Sequence, residues 1–339
     1  MKLVDLNKDQ DIGSNSLLVE LGPFRIVVDA GIHPKKMGKE ALPDLTKIAA
    51  ASVDYIILTH CHLDHLGALP VVANHQPEAQ ILLTHPSSQI APIMLGNSHT
   101  VMMHQKAEHG IPEYPFYTPD DIERLKERFV LMNYGKPRVF TKNGETLEIT
   151  FFNAGHILGA AGVLFVYKHR RIFFTGDVLF RNQRTLKGAM FPAEKMDTLV
   201  METTRGRTER KEENHAELEI KRLITTINRT LSNRGSCLLP VFALGRMQEI
   251  LYILNEARKA KQIPKCPIYC SGLGMALVDT FDHVGKKSGL TAFRQKILHE
   301  LGAKSLRSKK MKPGNMPSEN ALYILSSGML VENTPSYAV

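Results

Sequence analysis

Apolar positions in the first two hundred residues come in short runs. Ser16–Leu21 and Phe24–Val28 flank Gly22-Pro23, which predicts a hairpin, and the second run ends in the strand-to-turn transition Asp29-Ala30-Gly31. Tyr55–Thr59 and Ile81–Thr84 are unbroken apolar or β-branched runs, the pattern of strands buried on both faces. Leu63–Asn74, between them, predicts a helix. Thr118-Pro119-Asp120-Asp121 has a capping hydroxyl, a proline at the first helical position and acids in the first turn, so a helix is expected to start there and run through Ile122, Leu125 and Phe129. Leu95–Gly110, with His99, His104 and His109, reads as ordinary helix or loop. Strands resume at Thr146–Phe152, Val163–Tyr167, Ile172–Thr175 and Thr198–Met201. Beyond about Gly206 the pattern changes. Ile220, Leu223, Ile224, Ile227 and Leu231 recur at helical spacing, Ser236–Val241 is a strand, Met247, Ile250, Leu251 and Leu254 mark a helix, and Ile268–Cys270 is a strand. Helix alternating with strand at this interval predicts βαβ units, a parallel sheet and a second α/β domain. The expected division is 1–207 and 208–339.

Composition narrows this picture. A chain of 339 residues with 43% apolar and 23% charged residues suits a soluble globular protein of two domains or one elaborated domain. No run approaches a membrane span, and MKLVDLNKDQDIGSNS lacks the apolar core of a secretion signal. Cys61, Cys237, Cys266 and Cys270 are too few and too scattered for a disulfide framework, so a reducing cytoplasm is expected. The net charge of +9 points to an anionic partner, with nucleic acid first. Lys304, Arg307, Lys309, Lys310 and Lys312 share a segment with no acid between Glu300 and Glu319, which is either a solvated loop or a phosphate-tracking surface.

The candidate chemistry concentrates in HCHLDH, residues 60–65, directly after an apolar strand. Residues two apart in an extended segment face the same way, so His60 and His62 can point at one metal ion. Asp64 and His65, where the chain turns into a helix, can reach a second. His156 and Asp177 each follow a strand beside a glycine and are the natural further ligands, Asp177 being able to bridge. Zinc accepts imidazole nitrogen and carboxylate oxygen and leaves a position for water at catalytic sites. Two ions roughly 3.5–4 Å apart with a hydroxide between them suit phosphate-ester hydrolysis. Cys61 should face away from its neighbouring histidines, buried and inert. Further polar groups close strands at Asn153-Ala154-Gly155-His156, Thr175-Gly176-Asp177 and Glu202-Thr203-Thr204, as when α/β layers build a site on one rim. Arg246 follows Phe-Ala-Leu-Gly at a strand-to-helix transition, where backbone N–H groups and the helix dipole favour anions.

These residues carry a family resemblance. THCHLDHLGALP resembles the signature of the metallo-β-lactamase fold, with Asp29 in VVDAG matching its first motif, His156 in NAGHILGAAG its third and Asp177 in FTGDV its fourth. The remainder resembles the β-CASP branch, the nucleases related to the mRNA 3′-end-processing endonuclease and bacterial RNase J. METTRG resembles its acidic element with Glu202 as the acid, LPVFALGRMQEIL its Pro-x-Phe-Ala-x-Gly-Arg-x-Gln-Glu segment, and ILSSGML its Ser-x-Gly-Met element. The resemblance covers nearly the whole chain. It implies an α/β fold with α+β layers: an αββα metallo-β-lactamase sandwich (1–207) with an inserted β-CASP α/β cap domain (208–339), and a site in the cleft between them. It implies two Zn2+ ions, one on His60, His62 and His156, the other on Asp64 and His65, with Asp177 bridging. Asp29 would orient a ligand histidine from the second shell of contacts, Asp64 and Glu202 would serve catalysis, and Gly245, Arg246, Ser326 and Ser327 would lie near substrate phosphates.

The chain also departs from the family pattern. It stops at Val339, eleven residues past Gly328, before two histidines that the family carries after its Ser-x-Gly-Met element. His283 and His299 precede that element and match neither. ENTPSYAV reads as the start of a helix, so the expectation is a fragment, with a natural truncation or partner-supplied groups as alternatives. Lack of one histidine would weaken the second zinc site, and lack of a general acid would cost ~10²–10⁴-fold in rate. Arg205 stands where the family element usually has Tyr, either as a phosphate fork or facing solvent. The implied function is zinc-dependent hydrolysis of phosphodiester bonds in single-stranded RNA, without membrane association and possible in a homodimer or processing complex. The alternatives are a non-catalytic RNA-binding subunit and a hydrolase of thioesters or lactones.

Overall fold

Alternation of side chains across two facing sheets builds the first part of the fold. Strands β1 (Lys2–Asp5), β2 (Leu17–Leu21), β3 (Phe24–Val28), β4 (Tyr55–Ile57), β5 (Gln80–Thr84) and β6 (Phe129–Met132) pair in that order, antiparallel from β1 to β3 and parallel from β3 to β6. The second sheet is an antiparallel meander of β7 (Arg138–Lys142), β8 (Glu145–Asn153), β9 (Ala161–Tyr167) and β10 (Arg170–Phe174), with β11 (Thr198–Val200) parallel to β10. One face of the first sheet (Val19, Phe24, Ile26, Ile57, Leu82) packs against one face of the second (Leu147, Ile149, Phe151, Val163, Phe165) in a single apolar cluster. Leu18, Val27, Ile56, Ile81 and Leu83 are buried on the opposite face of the first sheet, which explains the unbroken apolar runs. Among the described residues, four α-helices lie between β4 and β6 in the chain: α1 (Leu63–Leu66), α2 (Leu69–His75), α3 (His85–His109) and α4 (Pro119–Glu127), with α3 packed on β5 and β6.

The computed structural model describes residues 1–8, 13–209, 215–306 and 318–326. They form two compact units, Met1–Asn182 with Gly188–Glu202, and Gln183–Lys187 with Thr203–Val339. In the second unit α5 (His215–Ser232), α6 (Arg246–Lys259), α7 (Leu273–Ala276), α8 (Val278–Ser288) and α9 (Lys296–Leu301) accompany a fully parallel sheet of β12 (Cys237–Pro240), β13 (Ile268–Ser271), β14 (Ala303–Ser305) and β15 (Leu322–Leu325). The sheet order is β12-β15-β13-β14, so the last strand inserts beside the first. Gln183–Lys187 joins this unit through Glu249, whose buried carboxylate accepts the N–H of Arg184 (2.7 Å), the N–H of Thr185 (2.9 Å) and the Thr185 hydroxyl (2.6 Å). No described helix is long and apolar enough to cross a membrane.

Three expected elements differ. The helix expected over Leu63–Asn74 breaks after Leu66 and restarts at Leu69. Pro70 cannot donate to the carbonyl of Leu66 four residues back, and its ring would clash with it. The helix from Thr118 ends at Glu127, and Phe129 enters β6 opposite Ile81. Arg128 stops it by donating to the carbonyls of Ala73, Gln76 and Ala79. The segment with the three histidines starts earlier than Leu95, in α3, capped by Thr84 and passing through Pro92. The basic residues Arg307, Lys309, Lys310 and Lys312 lie outside the described residues, whereas Lys304 is exposed on β14.

The start of α4 is a full capping box. Thr118 Oγ1 accepts the N–H of Asp121 (3.2 Å), and Asp121 Oδ2 accepts the N–H of Thr118 (2.7 Å). Burial opposes ionisation of Asp121, but bonds from the Thr118 N–H and hydroxyl and from Asn74 and Arg124 outweigh it and bring the carboxyl down to about 2. This contribution is present above the ordinary carboxyl pKa and is lost as pH falls through about 2. Thr118→Ala is expected to destabilise the protein by about 1 kcal/mol, with Thr118→Ser close to wild type, in urea melts at neutral pH.

Candidate metal centre

The site forms where strands of the first unit end. The turn after β3 has Asp29 at φ 61° and the turns after β8 and β10 have Gly155 at φ 67° and Gly176 at φ 54°. A short polar side chain tolerates this left-handed geometry at Asp29, and glycine meets it without strain at the other two. After β4 the chain stays extended to His62 (φ −68°, ψ 149°) and then turns into α1, which carries Asp64 and His65. Residues 30–32 lock onto this helix. Ala30 N–H donates to His65 O (2.7 Å), Ile32 N–H to Leu63 O (2.9 Å) and Asn15 N–H to Asp64 O (2.8 Å). The fit at Gly31 is so close that an added Cβ would stand 1.6 Å from Asp64 O. The turn bearing His156 and the loop bearing Asp177 are joined through Leu179 N–H to Ala154 O (2.9 Å) and Met190 N–H to Asn153 O (2.9 Å).

These turns bring His60, His62, His156 and Asp177 together, each with a ligand atom within 4.8 Å of the others. His156 Nε2 lies 3.1 Å from His62 Nδ1 and 3.5 Å from Asp177 Oδ2, and His60 Nε2 lies 3.8 Å from the same oxygen. Two ligands of a tetrahedral zinc, each about 2.1 Å from it, stand about 3.4 Å apart, so these spacings fit one ion. His60 Nε2 is also buried without a hydrogen-bond partner, a costly state that a cation would relieve. The other oxygen of Asp177 faces a second group. Oδ1 is 3.4 Å from His65 Nε2, which is 3.7 Å from Asp64 Oδ2. Three imidazoles with one carboxylate oxygen, and a fourth imidazole with two carboxylates, are donor sets suited to zinc.

Asp29 is buried beside His65 and is not among the four converging groups. Its Oδ1 accepts Thr59 N–H (2.8 Å), and its Oδ2 accepts the Thr59 hydroxyl (2.7 Å) and lies 2.7 Å from His65 Nδ1. This bond fixes the ring so that Nε2 faces Asp64 and Asp177. Asn15 Nδ2 lies 3.0 Å from the same Nε2. Asn15 escaped sequence reasoning because an isolated asparagine fifty positions from its partner leaves no local pattern. Glu202 follows β11, and its N–H donates to the hydroxyl of Thr175 (3.2 Å), two residues before Asp177.

Burial, then the neighbouring imidazoles, pushes His60 well below its usual pKa. Burial also opposes the charge on Asp177, but the His65 hydrogen bond and the charges of His65, His156 and His62 bring it down to about 2. His65 moves the other way, since Asp29, Asp177 and Asp64 outweigh the effect of burial and raise it well above the ordinary value. A neutral His60 and an ionised Asp177 are in the protonation states that metal binding requires. Cys61 is buried, its thiol pushed up to about 12 by desolvation and directed at Ser87 O (3.5 Å).

In the second unit, Gly245 (φ 87°) precedes α6 and donates its N–H to Gln248 Oε1 (2.9 Å). Arg246 opens the helix, with Nη1 3.4 Å from Gln183 Oε1. Ser326 follows β15 so close to Gly272, after β13, that a Cβ there would come within 2.1 Å of Ser326 Oγ. Gly245, Arg246 and Ser326 thus follow the C-terminal ends of parallel strands, where α/β sheets bind ligands. Ser327 lies outside the described residues.

Comparison with known proteins places this architecture. The chain is 32% identical over 263 residues to an RNase J-like protein of Methanocaldococcus jannaschii, covering 78% of this chain and 56% of that one. It is 30% identical over 283 residues to endoribonuclease YSH1 of Eremothecium gossypii, covering 81% and 36% respectively. The chain thus spans between about a third and just over half the length of these curated relatives. A solved structure, a protein of unknown function from Enterococcus faecalis V583, shares the fold at a TM-score of 0.51 and 11% identity, covering 96% of this chain and 77% of that one. The profile of the metallo-beta-lactamase superfamily matches residues 10–218, from β2 through β11 and across every candidate ligand described above, and the chain belongs to that superfamily.

Proposed function

We propose that this chain is a zinc-dependent ribonuclease that hydrolyses phosphodiester bonds of single-stranded RNA. The convergence of His60, His62, His156 and Asp177, with His65 and Asp64 facing the other oxygen of Asp177, carries the reading. The names of the RNase J-like and endoribonuclease relatives, the β-CASP-like elements around Glu202, Arg246 and Ser326, and the net charge of +9 support it. On this reading 1–207 is the metallo-β-lactamase domain and 208–339 the β-CASP domain.

His60, His62, His156 and Asp177 Oδ2 would hold one zinc ion, and Asp64, His65 and Asp177 Oδ1 the other. Zinc at such sites lowers the pKa of water and neutralises charge building on a phosphate. Asp29 Oδ2 holds His65 through Nδ1. Asp64, with a side chain 29% exposed, is open to the solvent from which the attacking water comes, and its carboxylate orients that water and takes its proton. Glu202, anchored beside the Asp177 turn through Thr175, assists at the same rim. Arg246, with the N–H groups that open α6, grips a phosphate of the RNA.

The test is zinc analysis of the purified protein and its action on a 5′-labelled single-stranded RNA. Stoichiometric zinc and chelator-sensitive cleavage are expected. Turnover of a thioester by zinc-loaded protein that leaves RNA intact would overturn the reading. Arg246→Ala is expected to raise KM for RNA about tenfold with zinc content unchanged, the loss of roughly 1.5 kcal/mol from one charged hydrogen bond.

A further inference from the structure

We propose that the second unit carries a polyanion-binding strip, separate from the Arg246 and Ser326 rim, that takes the backbone of single-stranded RNA beyond the cleaved segment. The proposal rests on the ribonuclease reading and names where else that substrate is held.

The strip begins where α6 ends. Arg258, Lys259, Lys261 and Lys265 line a concavity of about 510 Å³ with Gln262 and Pro264. Arg258 is fixed there, donating through Nη1 to Leu301 O (2.7 Å) and through Nη2 to Cys266 O (3.1 Å). A second concavity of about 680 Å³ is lined by Lys286, Arg294, Lys296 and His299. Glu300 links one lysine from the lining of each: it accepts Asn255 Nδ2 (2.8 Å) and lies 3.1 Å from Lys259 Nζ and 3.6 Å from Lys296 Nζ. The acid lining the second concavity, Asp282, is already engaged by Lys286 (2.5 Å) and by Gln295 N–H (3.1 Å). Glu256 lies 3.3 Å from Lys259 Nζ, and Asp279 accepts Gln295 Nε2 (2.7 Å), so seven cations stand against Glu256, Asp279, Asp282 and Glu300. Lys261 and Lys265 are exposed and have no ion pair among the described residues.

Polarity of the fold separates the strip from the other rim. Helix α6 returns against the direction of the parallel strands. Its first residue, Arg246, lies toward their C-terminal ends, and its last, Lys259, leads through Lys265 to the start of β13 at Ile268. A net-positive surface whose exposed Lys261 and Lys265 have no ion pair among the described residues gains little from folding and repels itself. It suits a partner that presents charge at regular intervals, as a phosphodiester backbone does.

The test measures binding of labelled oligouridylates of about 10 and about 30 nucleotides across a salt series, in full-length protein carrying Asp177→Asn so that RNA stays intact. Adding Lys261→Glu, Lys265→Glu and Lys296→Glu is expected to weaken the longer RNA at least tenfold and the shorter at most twofold. The slope of log K against log salt for the longer RNA should fall by about 2, near 0.7 for each lost phosphate contact. The corresponding alanine triple, less prone to disturb folding, should give the same ordering with smaller losses. Unchanged binding of the longer RNA, or equal weakening of both lengths, would overturn the proposal, as would polyglutamate displacing the longer RNA as well as polyuridylate does. Wild-type protein that binds the longer RNA through these lysines but cuts no RNA would sink the ribonuclease reading and leave the strip standing. Wild-type protein that cuts RNA with lysine variants binding like the parent would do the reverse.

Discussion

Asp177→Asn is expected to strip zinc from the protein and to slow RNA cleavage by about 10³-fold or more, with little change in fold. Its two oxygens face different groups, Oδ2 toward His60 and His156 and Oδ1 toward His65. An asparagine keeps the shape and one oxygen but loses the negative charge, which the surrounding histidines stabilise strongly enough to bring this carboxyl down to about 2. Charge stabilisation by metal ions at a phosphate is worth several kcal/mol, and about 4 kcal/mol is a factor of 10³ in rate. The fold should survive, because the neighbouring turn is held by backbone bonds, among them Thr175 N–H to Val200 O (2.9 Å). Zinc stoichiometry by mass spectrometry, single-turnover cleavage and a thermal melt separate the effects. If Asp177 were only a turn residue facing solvent, zinc content and cleavage would both stay at wild-type levels.

Much of this site was legible because its determinants are local. A strand buried on both faces reads as an apolar run, so the polar run that starts after Leu58, one residue past β4, marks where the sheet ends. The two-residue period sets His60 beside His62, and the turn into α1 redirects Asp64 and His65. Glycine before Asp177 and before His156 marks sharp turns at strand ends. What was not legible depends on pairing across the fold. Phe129 continues the apolar spacing of α4 as well as it begins β6, and only its pairing with Ile81 decides between them. The insertion of β15 between β12 and β13 leaves no trace in local periodicity. Neither does the capture of Arg184 and Thr185 by Glu249, sixty-odd positions away. Asn15 belongs to the same class, since its place beside His65 is set by the backbone bonds that dock residues 30–32 on α1.

Asp29→Asn should act on the metal through a residue that does not touch it. Asp29 is 4% exposed and spends both oxygens on three donors, Thr59 N–H, Thr59 Oγ1 and His65 Nδ1. Asparagine adopts the left-handed backbone at φ 61° readily, so the change leaves the turn unstrained and isolates the carboxylate's role. Its one oxygen cannot serve all three donors, and its NH2 group must face one of them. If the oxygen stays on Thr59, the NH2 meets His65 Nδ1, favours the tautomer protonated at Nε2 and thereby blocks the nitrogen that faces Asp64 and Asp177. If the oxygen turns to His65, the Thr59 N–H is left buried without a partner at a cost of about 1–3 kcal/mol. Loss of such an orienting bond typically lowers metal affinity 10–100-fold, so zinc titration should show the weaker site shifted by that amount while the stronger one holds. Asp29→Ala, which also strains the left-handed backbone, should be less stable than Asp29→Asn in the metal-free protein. Equal zinc affinity in wild type and Asp29→Asn at both sites would show that Thr59 and the backbone alone position His65.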